Sequence, residues 1–179
     1  NENFISLRTN SKWCRSLGRR IGWIEAPEFI IESMEDIQSC TILSPDKLHQ
    51  MAFGRFITTS IEDGSLDTYL EKIRKLYKNT AEKTAEIIQK HLDFPIIQPE
   101  GGLYVFMKVN TDGTKFVETV LTKTGVLFIP GQGFGTTGKN AVRVSFGPLV
   151  EEIDKIEEGI IKTAKYLNET KPFLKINQK

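Results

Sequence analysis

Apolar positions spaced by three and four residues predict four helices along the chain, of which the shortest lies between two predicted strands. The longest follows the turn residues at 63–65, the last begins at Pro148, and a shorter one is predicted over 45–58. Ser65 is the predicted N-cap of the long helix, because a hydroxyl there can accept from the first free backbone N–H groups. The apolar stripe of that helix runs through Leu66, Tyr69, Leu70, Ile73, Leu76, Tyr77, Thr80, Ala81, Thr84, Ala85 and Ile88.

Short apolar runs between turn residues predict strands. Two runs, at 4–7 and 21–24, precede the first predicted helix. Three more, at 103–106, 125–128 and 142–146, follow the long helix, and a further short helix separates the first two of these. Strands that alternate with helices predict the α/β fold class.

The change of pattern near residues 60–65 predicts a division of the chain. Residues 63–179 read as a compact α/β unit. Residues 1–62 read as the edge of a different unit.

The charge balance limits what the chain is expected to bind. Lys and Arg number 24 and Asp and Glu number 23, so the net charge is +1, which argues against a nucleic-acid-coating protein. The chain contains no run of about 18 apolar residues, so the sequence predicts no membrane-spanning helix. The two cysteines, Cys14 and Cys40, lie in no spacing suited to zinc, and no leader pattern is visible, so a cytoplasmic setting is expected.

Residues 8–24 combine basic, hydroxyl and glycine residues without a single acid. Guanidinium groups offer paired donors to a phosphate, hydroxyls offer neutral donors, and glycine lets backbone N–H groups approach. Charge alone favours a solvated basic turn, but Lys12 and Arg20 border predicted strands that would hold them still, which favours phosphate binding. The cations are Arg8, Lys12, Arg15, Arg19 and Arg20.

The glycine-rich segment 130–140 has the glycine spacing of a nucleotide P-loop before Lys139. Two features contradict that interpretation. Asn140 stands where a Ser or Thr hydroxyl binds Mg²⁺, and the residues that follow alternate as a strand where a P-loop begins a helix. We therefore interpret this segment as a turn.

Arg143 lies between Val142 and Val144 in a predicted strand, so its side chain points to the opposite face from theirs. An arginine in that setting either extends to solvent or is held for an anion such as a carboxylate. The pattern alone favours the first alternative.

Four motifs, taken in order, resemble those of the class I and II aminotransferases, which are pyridoxal-phosphate enzymes of the aspartate aminotransferase fold. Together they extend across most of residues 6–168. They are a cofactor-lysine signature (Ser11, Lys12, Gly18, Arg20, Gly22), the run PEGGLYVF at 99–106, the "GV…PG..FG" segment at 125–135, and the strand VRVSF at 142–146.

The resemblance implies the architecture. The chain would be the C-terminal part of a fold-type I pyridoxal-phosphate-dependent transferase. Residues 1–62 would form the C-terminal edge of the large cofactor-binding domain, and residues 63–179 the small α/β domain. The cofactor would be pyridoxal 5′-phosphate, and the protein a homodimer that binds neither nucleic acid nor a membrane.

The resemblance also implies roles for individual residues. Lys12 would form the Schiff base with pyridoxal phosphate. Arg20 would bind the cofactor phosphate, with Ser11 or Thr9 supplying a hydroxyl. Arg143 would bind the α-carboxylate of the amino-acid substrate. No metal site is expected.

Only eleven residues precede Lys12, whereas the family's other cofactor contacts precede its lysine. We therefore expect this chain to be the C-terminal half of an aminotransferase that moves an amino group between an L-amino acid and a 2-oxo acid. By itself the chain would be inactive. A pyridoxal-phosphate-dependent lyase or synthase of the same fold is the alternative, because fold and lysine do not determine the reaction.

Overall fold

The computed structural model describes residues 4–170 and divides the chain into two compact units. One unit ends at Ile73 and the other begins at Arg74. The dividing point lies inside a long helix, whereas the sequence placed the boundary near residue 62. The assignment of the two parts to a large and a small domain stays a prediction.

The first unit is a two-stranded antiparallel ribbon followed by helices. The predicted strands at 4–7 and 21–24 are present but begin one or two residues later. The helix predicted over 45–58 is confirmed, and it starts where the Asp46 carboxylate accepts from the backbone N–H of Leu48. The elements are β1 (Ser6–Thr9), a 3₁₀ turn (Leu17–Arg19), β2 (Gly22–Glu25), α1 (Glu28–Thr41), α2 (Lys47–Glu62) and the first part of α3 (Ser65–Leu92).

Two local predictions in this unit need correction. Helix α1 was not predicted, and none of its side chains is fully buried. Ser65 lies inside α3, and the Asp63 carboxylate accepts from its backbone N–H at 2.9 Å. Asp63 therefore takes the capping role that was predicted for Ser65.

The second unit packs helices against a four-stranded antiparallel sheet with the order β3-β4-β6-β5. In this register Arg143 lies opposite Phe106 on one side and Ile129 on the other. The elements after α3 are β3 (Ile96–Ile97), β4 (Tyr104–Lys108), α4 (Gly113–Thr124), β5 (Ile129–Pro130), β6 (Ala141–Ser145) and α5 (Ile153–Thr170).

The core of the second unit lies between the helices and one face of the sheet. Phe116 is central to it, with the rings of Phe94 and Phe128 at 6.2 and 6.1 Å. Burying such apolar area is the main stabilising contribution to a domain of this kind. The other core side chains include Ile88, Val105, Met107, Val120, Val142, Phe146, Ile160 and Leu167.

The glycine-rich segment before β6 forms two 3₁₀ turns, Gly131–Phe134 and Thr136–Gly138. A Cβ on Gly138 would lie 2.2 Å from the carbonyl oxygen of Gly131, so the two turns meet backbone to backbone. The interpretation of this segment as a turn is confirmed.

Two predicted boundaries in the second unit are displaced. The strand predicted at 125–128 is wrong in position, because only Ile129 and Pro130 pair with β6. The last helix begins at Ile153 instead of Pro148, which lies in the short 3₁₀ turn Gly147–Leu149.

Candidate active site

Lys12 lies on a tight turn directly after β1. The backbone N–H of Cys14 donates to the carbonyl of Asn10, and that of Arg15 donates to the carbonyl of Lys12, both at 3.2 Å. The Lys12 side chain is exposed among the described residues. The turn therefore fixes the backbone of Lys12 while its amine stays accessible.

The hydroxyls of Thr9 and Ser11 converge beside this turn. Thr9 Oγ1 donates to the carbonyl of Ile21 at 2.8 Å and lies 2.8 Å from Ser11 Oγ. Because the Thr9 proton is used on Ile21, the Ser11 hydroxyl is the donor to Thr9. The backbone N–H of Ser11 donates to the same Thr9 oxygen at 3.2 Å.

Gly22 allows this arrangement. A Cβ at that position would lie 2.8 Å from the carbonyl oxygen of Arg8 on the paired strand. A side chain would push β2 away from β1, whereas glycine lets the strands approach. The approach brings the carbonyl of Ile21 within reach of Thr9.

Arg20 adopts a left-handed backbone conformation, with φ 54° and ψ 42°, at the end of the 3₁₀ turn. Such a conformation costs a non-glycine residue about 1 kcal/mol or more and concentrates at functional sites. Its guanidinium is exposed and donates weakly, at 3.5 Å, to the carbonyl of Leu17.

The donor set of this segment fits a phosphate ester that carries an aldehyde. Hydroxyl, guanidinium and lysine amine groups lie within one hairpin, and no carboxylate occurs between residues 9 and 24. Arg8 is engaged elsewhere, because its Nε lies 3.1 Å from the Glu25 carboxylate. These residues therefore fit pyridoxal phosphate by their chemistry.

Arg143 belongs to the second unit, where it lies half-buried on β6. Its guanidinium carbon is 4.0 Å from the ring centroid of Tyr104 and 4.6 Å from that of Phe134. Its Nε is buried and has no hydrogen-bond partner within residues 4–170. The sequence pattern alone favoured an arginine that extends to solvent. The Arg143 side chain instead lies against two rings and is half-buried.

Sequence reasoning missed three features of these two regions. The contacts of Tyr104 and Phe134 with Arg143 were not predicted, because they depend on the pairing of β4 with β6 and on the 3₁₀ turn that ends at Phe134. Asn10 is 1% exposed, and neither its amide nitrogen nor its amide oxygen finds a partner in the described part of the chain. A polar residue between two hydroxyl residues carries no periodic signal that marks it as buried.

Neither a metal-binding cluster nor a membrane-spanning helix occurs in the described part of the chain. Residues 4–170 hold no group of three or more His, Cys, Asp or Glu side chains that could bind a metal ion. In the same range, every helix is too short or too polar to cross a bilayer.

Comparison with known proteins identifies the family. The sequence profile described as "Aminotransferase class I and II" matches residues 1–160. An aromatic-amino-acid aminotransferase of Thermococcus litoralis is 27% identical over 95% of this chain and 42% of its own length. An aspartate aminotransferase of Pyrococcus abyssi is 28% identical over the same shares.

A solved structure agrees with these relatives. The kynurenine aminotransferase of Pyrococcus horikoshii, in complex with PMP, aligns with a TM-score of 0.76 and 29% identity. The alignment covers 98% of this chain and 42% of that one. The chain thus spans under half the length of the relatives it matches and has part of the fold-type I architecture. It belongs to the class I and II aminotransferase family.

Proposed function

We propose that this chain is part of a pyridoxal-phosphate-dependent aminotransferase that moves an amino group between an L-amino acid and a 2-oxo acid. The observation that carries the proposal is the hairpin around Lys12, which combines an exposed lysine with the paired hydroxyls of Thr9 and Ser11 and an arginine with a left-handed backbone. Membership of the family supports it independently. Aromatic and aspartate aminotransferases are similarly close relatives, so the proposal names no single amino acid.

The phosphate group of the cofactor would be held by Arg20 and Ser11. The Ser11 hydroxyl can turn from Thr9 toward a phosphate oxygen, because the backbone N–H of Ser11 still donates to Thr9. Thr9 stays bonded to Ile21 and holds this geometry in place. Guanidinium and hydroxyl donors to an anion are stronger than the neutral bonds they replace.

Bound pyridoxal phosphate supplies an electron sink at the substrate α-carbon. Lys12 Nζ would hold the cofactor, and the same amine would carry a proton away from the substrate α-carbon and return one. Arg143 binds the substrate carboxylate with a planar pair of N–H donors, which a lysine could not reproduce.

The test is an assay of the complete polypeptide with L-amino acids and 2-oxoglutarate. Appearance of glutamate together with a new 2-oxo acid is the expected result. Replacing Lys12 by Ala removes both attachment and proton transfer, so we expect a loss of at least about a thousandfold in kcat. Lys47→Ala, at an exposed lysine that begins α2, is the matched control and should retain activity.

The same assay distinguishes transamination from the alternative lyase or synthase reaction. A lyase or synthase of this fold would release a β- or γ-leaving group without forming glutamate. That outcome would replace the proposed reaction and keep the role of Lys12. Full activity in Lys12→Ala would contradict the site itself.

A homodimer in the cytoplasm completes the proposal. Large apolar side chains exposed on the first unit, among them Leu7, Phe29, Leu43 and Leu48, support a further protein interface. The thiols of Cys14 and Cys40 are both free, which suits a reducing compartment. Sedimentation of the complete protein and fractionation of cells that express it would test the two statements.

A further inference from the structure

The surroundings of Arg143 differ from those of an ordinary surface arginine. Its guanidinium lies against the rings of Tyr104, from the paired strand, and Phe134, from the 3₁₀ turn before β6. The Phe134 ring in turn packs perpendicular to the ring of Phe106, with the two centroids 5.5 Å apart and an interplanar angle of 90°. The ring that contacts Arg143 is therefore itself supported.

Direct hydrogen bonds do not explain how Arg143 is oriented. Its Nε is buried and unpartnered, and no ion pair joins it to a carboxylate within residues 74–170. Contact with aromatic faces is the interaction that remains. Arginine suits this interaction because its planar guanidinium is attracted to ring faces and is weakly hydrated.

We propose that Tyr104 and Phe134 are positioning residues that hold the Arg143 guanidinium so that its two terminal amino groups, and not Nε, bind the carboxylate. Because Nε is buried, a carboxylate cannot reach it. The two carboxylate oxygens can therefore accept hydrogen bonds only from the two terminal amino groups of the guanidinium. The rings also keep water from the guanidinium faces, which strengthens its attraction for an anion. This inference rests on the proposed function, in which Arg143 binds the substrate carboxylate.

Removing a ring is expected to weaken carboxylate binding without changing the chemical step. In the complete protein, Tyr104→Leu should raise about tenfold the KM for the amino acid and the Kd for propionate, an unreactive carboxylate probe. The value of kcat should change much less, since Tyr104 does not contact the reacting atoms. Tyr104→Phe restores the ring and should recover the lost affinity.

A double-mutant cycle separates positioning from a general structural effect. If Tyr104 acts through the guanidinium, Tyr104→Leu should change propionate affinity less than twofold in an Arg143→Lys background. The matched control is Tyr166→Leu, whose ring packs against the core of the same unit, away from these contacts. It should lower stability without changing propionate affinity.

A second readout does not depend on activity. In the 179-residue chain, the buried Nε–H of Arg143 should exchange slowly with water in an NMR spectrum, and Tyr104→Leu should accelerate that exchange at least tenfold. Propionate should slow rotation of the terminal amino groups while the Nε resonance moves little.

The outcomes distinguish the two claims. If Arg143→Lys leaves propionate affinity unchanged, the carboxylate-binding role in the proposed function is wrong. If Arg143→Lys weakens binding but Tyr104→Leu does not, or weakens it equally in both backgrounds, the proposed role stands and the positioning inference is overturned. A large shift of Nε on propionate binding would overturn the binding mode.

Discussion

The two units differ in how they bury apolar surface. Within residues 4–170, the buried apolar side chains of the first unit are Ile21 and Ile73, whereas the second unit has a continuous core around Phe116 and Ile88. Most of the large exposed apolar side chains belong to the first unit. The second unit is therefore stabilised by its own core, and the first unit has apolar faces suited to further protein contacts.

This difference in burial affects the two proposed functional residues, Arg143 and Lys12, in different ways. Arg143 is oriented by rings of its own unit, so its geometry should persist wherever that unit is folded. Lys12 lies on a hairpin whose neighbouring helix α1 buries no side chain. We expect the geometry at Lys12 to depend on what covers the first unit, and the geometry at Arg143 to depend on it much less.

The largest expected difference in stability between the two units comes from truncating one aromatic ring in each. Phe116→Ala removes a ring that is 2% exposed and should cost the second unit about 4 kcal/mol, because it leaves a cavity between Phe94 and Phe128. Phe53→Ala, at a half-buried ring 5.9 Å from Trp13, should cost the first unit only about 1 kcal/mol.

Native-state hydrogen exchange measures the opening free energy of each unit separately. Equal losses for the two variants would contradict the contrast between the cores. A loss that spread equally over the amides of both units would show that they unfold together.

The second effect uses two glycines. Gly138→Ala places a Cβ 2.2 Å from a backbone oxygen that cannot move aside, and should destabilise the second unit by about 2 kcal/mol. Gly18→Ala meets no atom within 4 Å and should change stability by less than about 0.5 kcal/mol. The same exchange measurement applies, and a neutral Gly138→Ala would show that the two 3₁₀ turns can separate without cost.

The predictable parts of the fold are those where burial imposes a period. Helices α3 and α5 were predicted because their apolar stripes face a core, and both stripes contain fully or nearly buried side chains such as Ile88 and Ile160. Helix α1 was missed although Ile30, Met34 and Ile37 follow helical spacing, and none of its side chains is fully buried. Strand β5 was misplaced because two paired residues are too few for alternation to be visible.

The candidate site was predictable only as residue identities. Lys12, Arg20 and Arg143 came from a resemblance in motifs, and their roles remain predictions. The contacts of Arg143 could not be predicted, because they depend on the register that places Tyr104 and Phe106 beside β6. Likewise, the direction of the Thr9 hydrogen bond depends on the close approach that Gly22 permits.

The smallest expected change in stability concerns one carboxylate in each unit that is hydrogen-bonded to a histidine. Hydrogen bonds from His91 and then Lys90 lower the pKa of Glu157 below its ordinary value near 4.5, and they join α3 to α5 in the second unit. In the first unit, a hydrogen bond with His49 likewise lowers the pKa of Asp46, but that pair lies within the first turn of α2. A carboxyl group whose folded pKa is depressed adds stability above its unfolded pKa, and this stability is lost as the pH falls toward the folded value.

We therefore expect Glu157→Gln to lower the opening free energy of the second unit at pH 7 and to have little effect below the folded pKa. Asp46→Asn should change only the exchange of the first amides of α2, because its partner is three residues away on the same helix. The measurement is hydrogen exchange at pH 7 and in mild acid, which gives the opening free energies of the wild type and of both variants. A Glu157→Gln loss that is the same at both pH values would assign the effect to packing instead of charge.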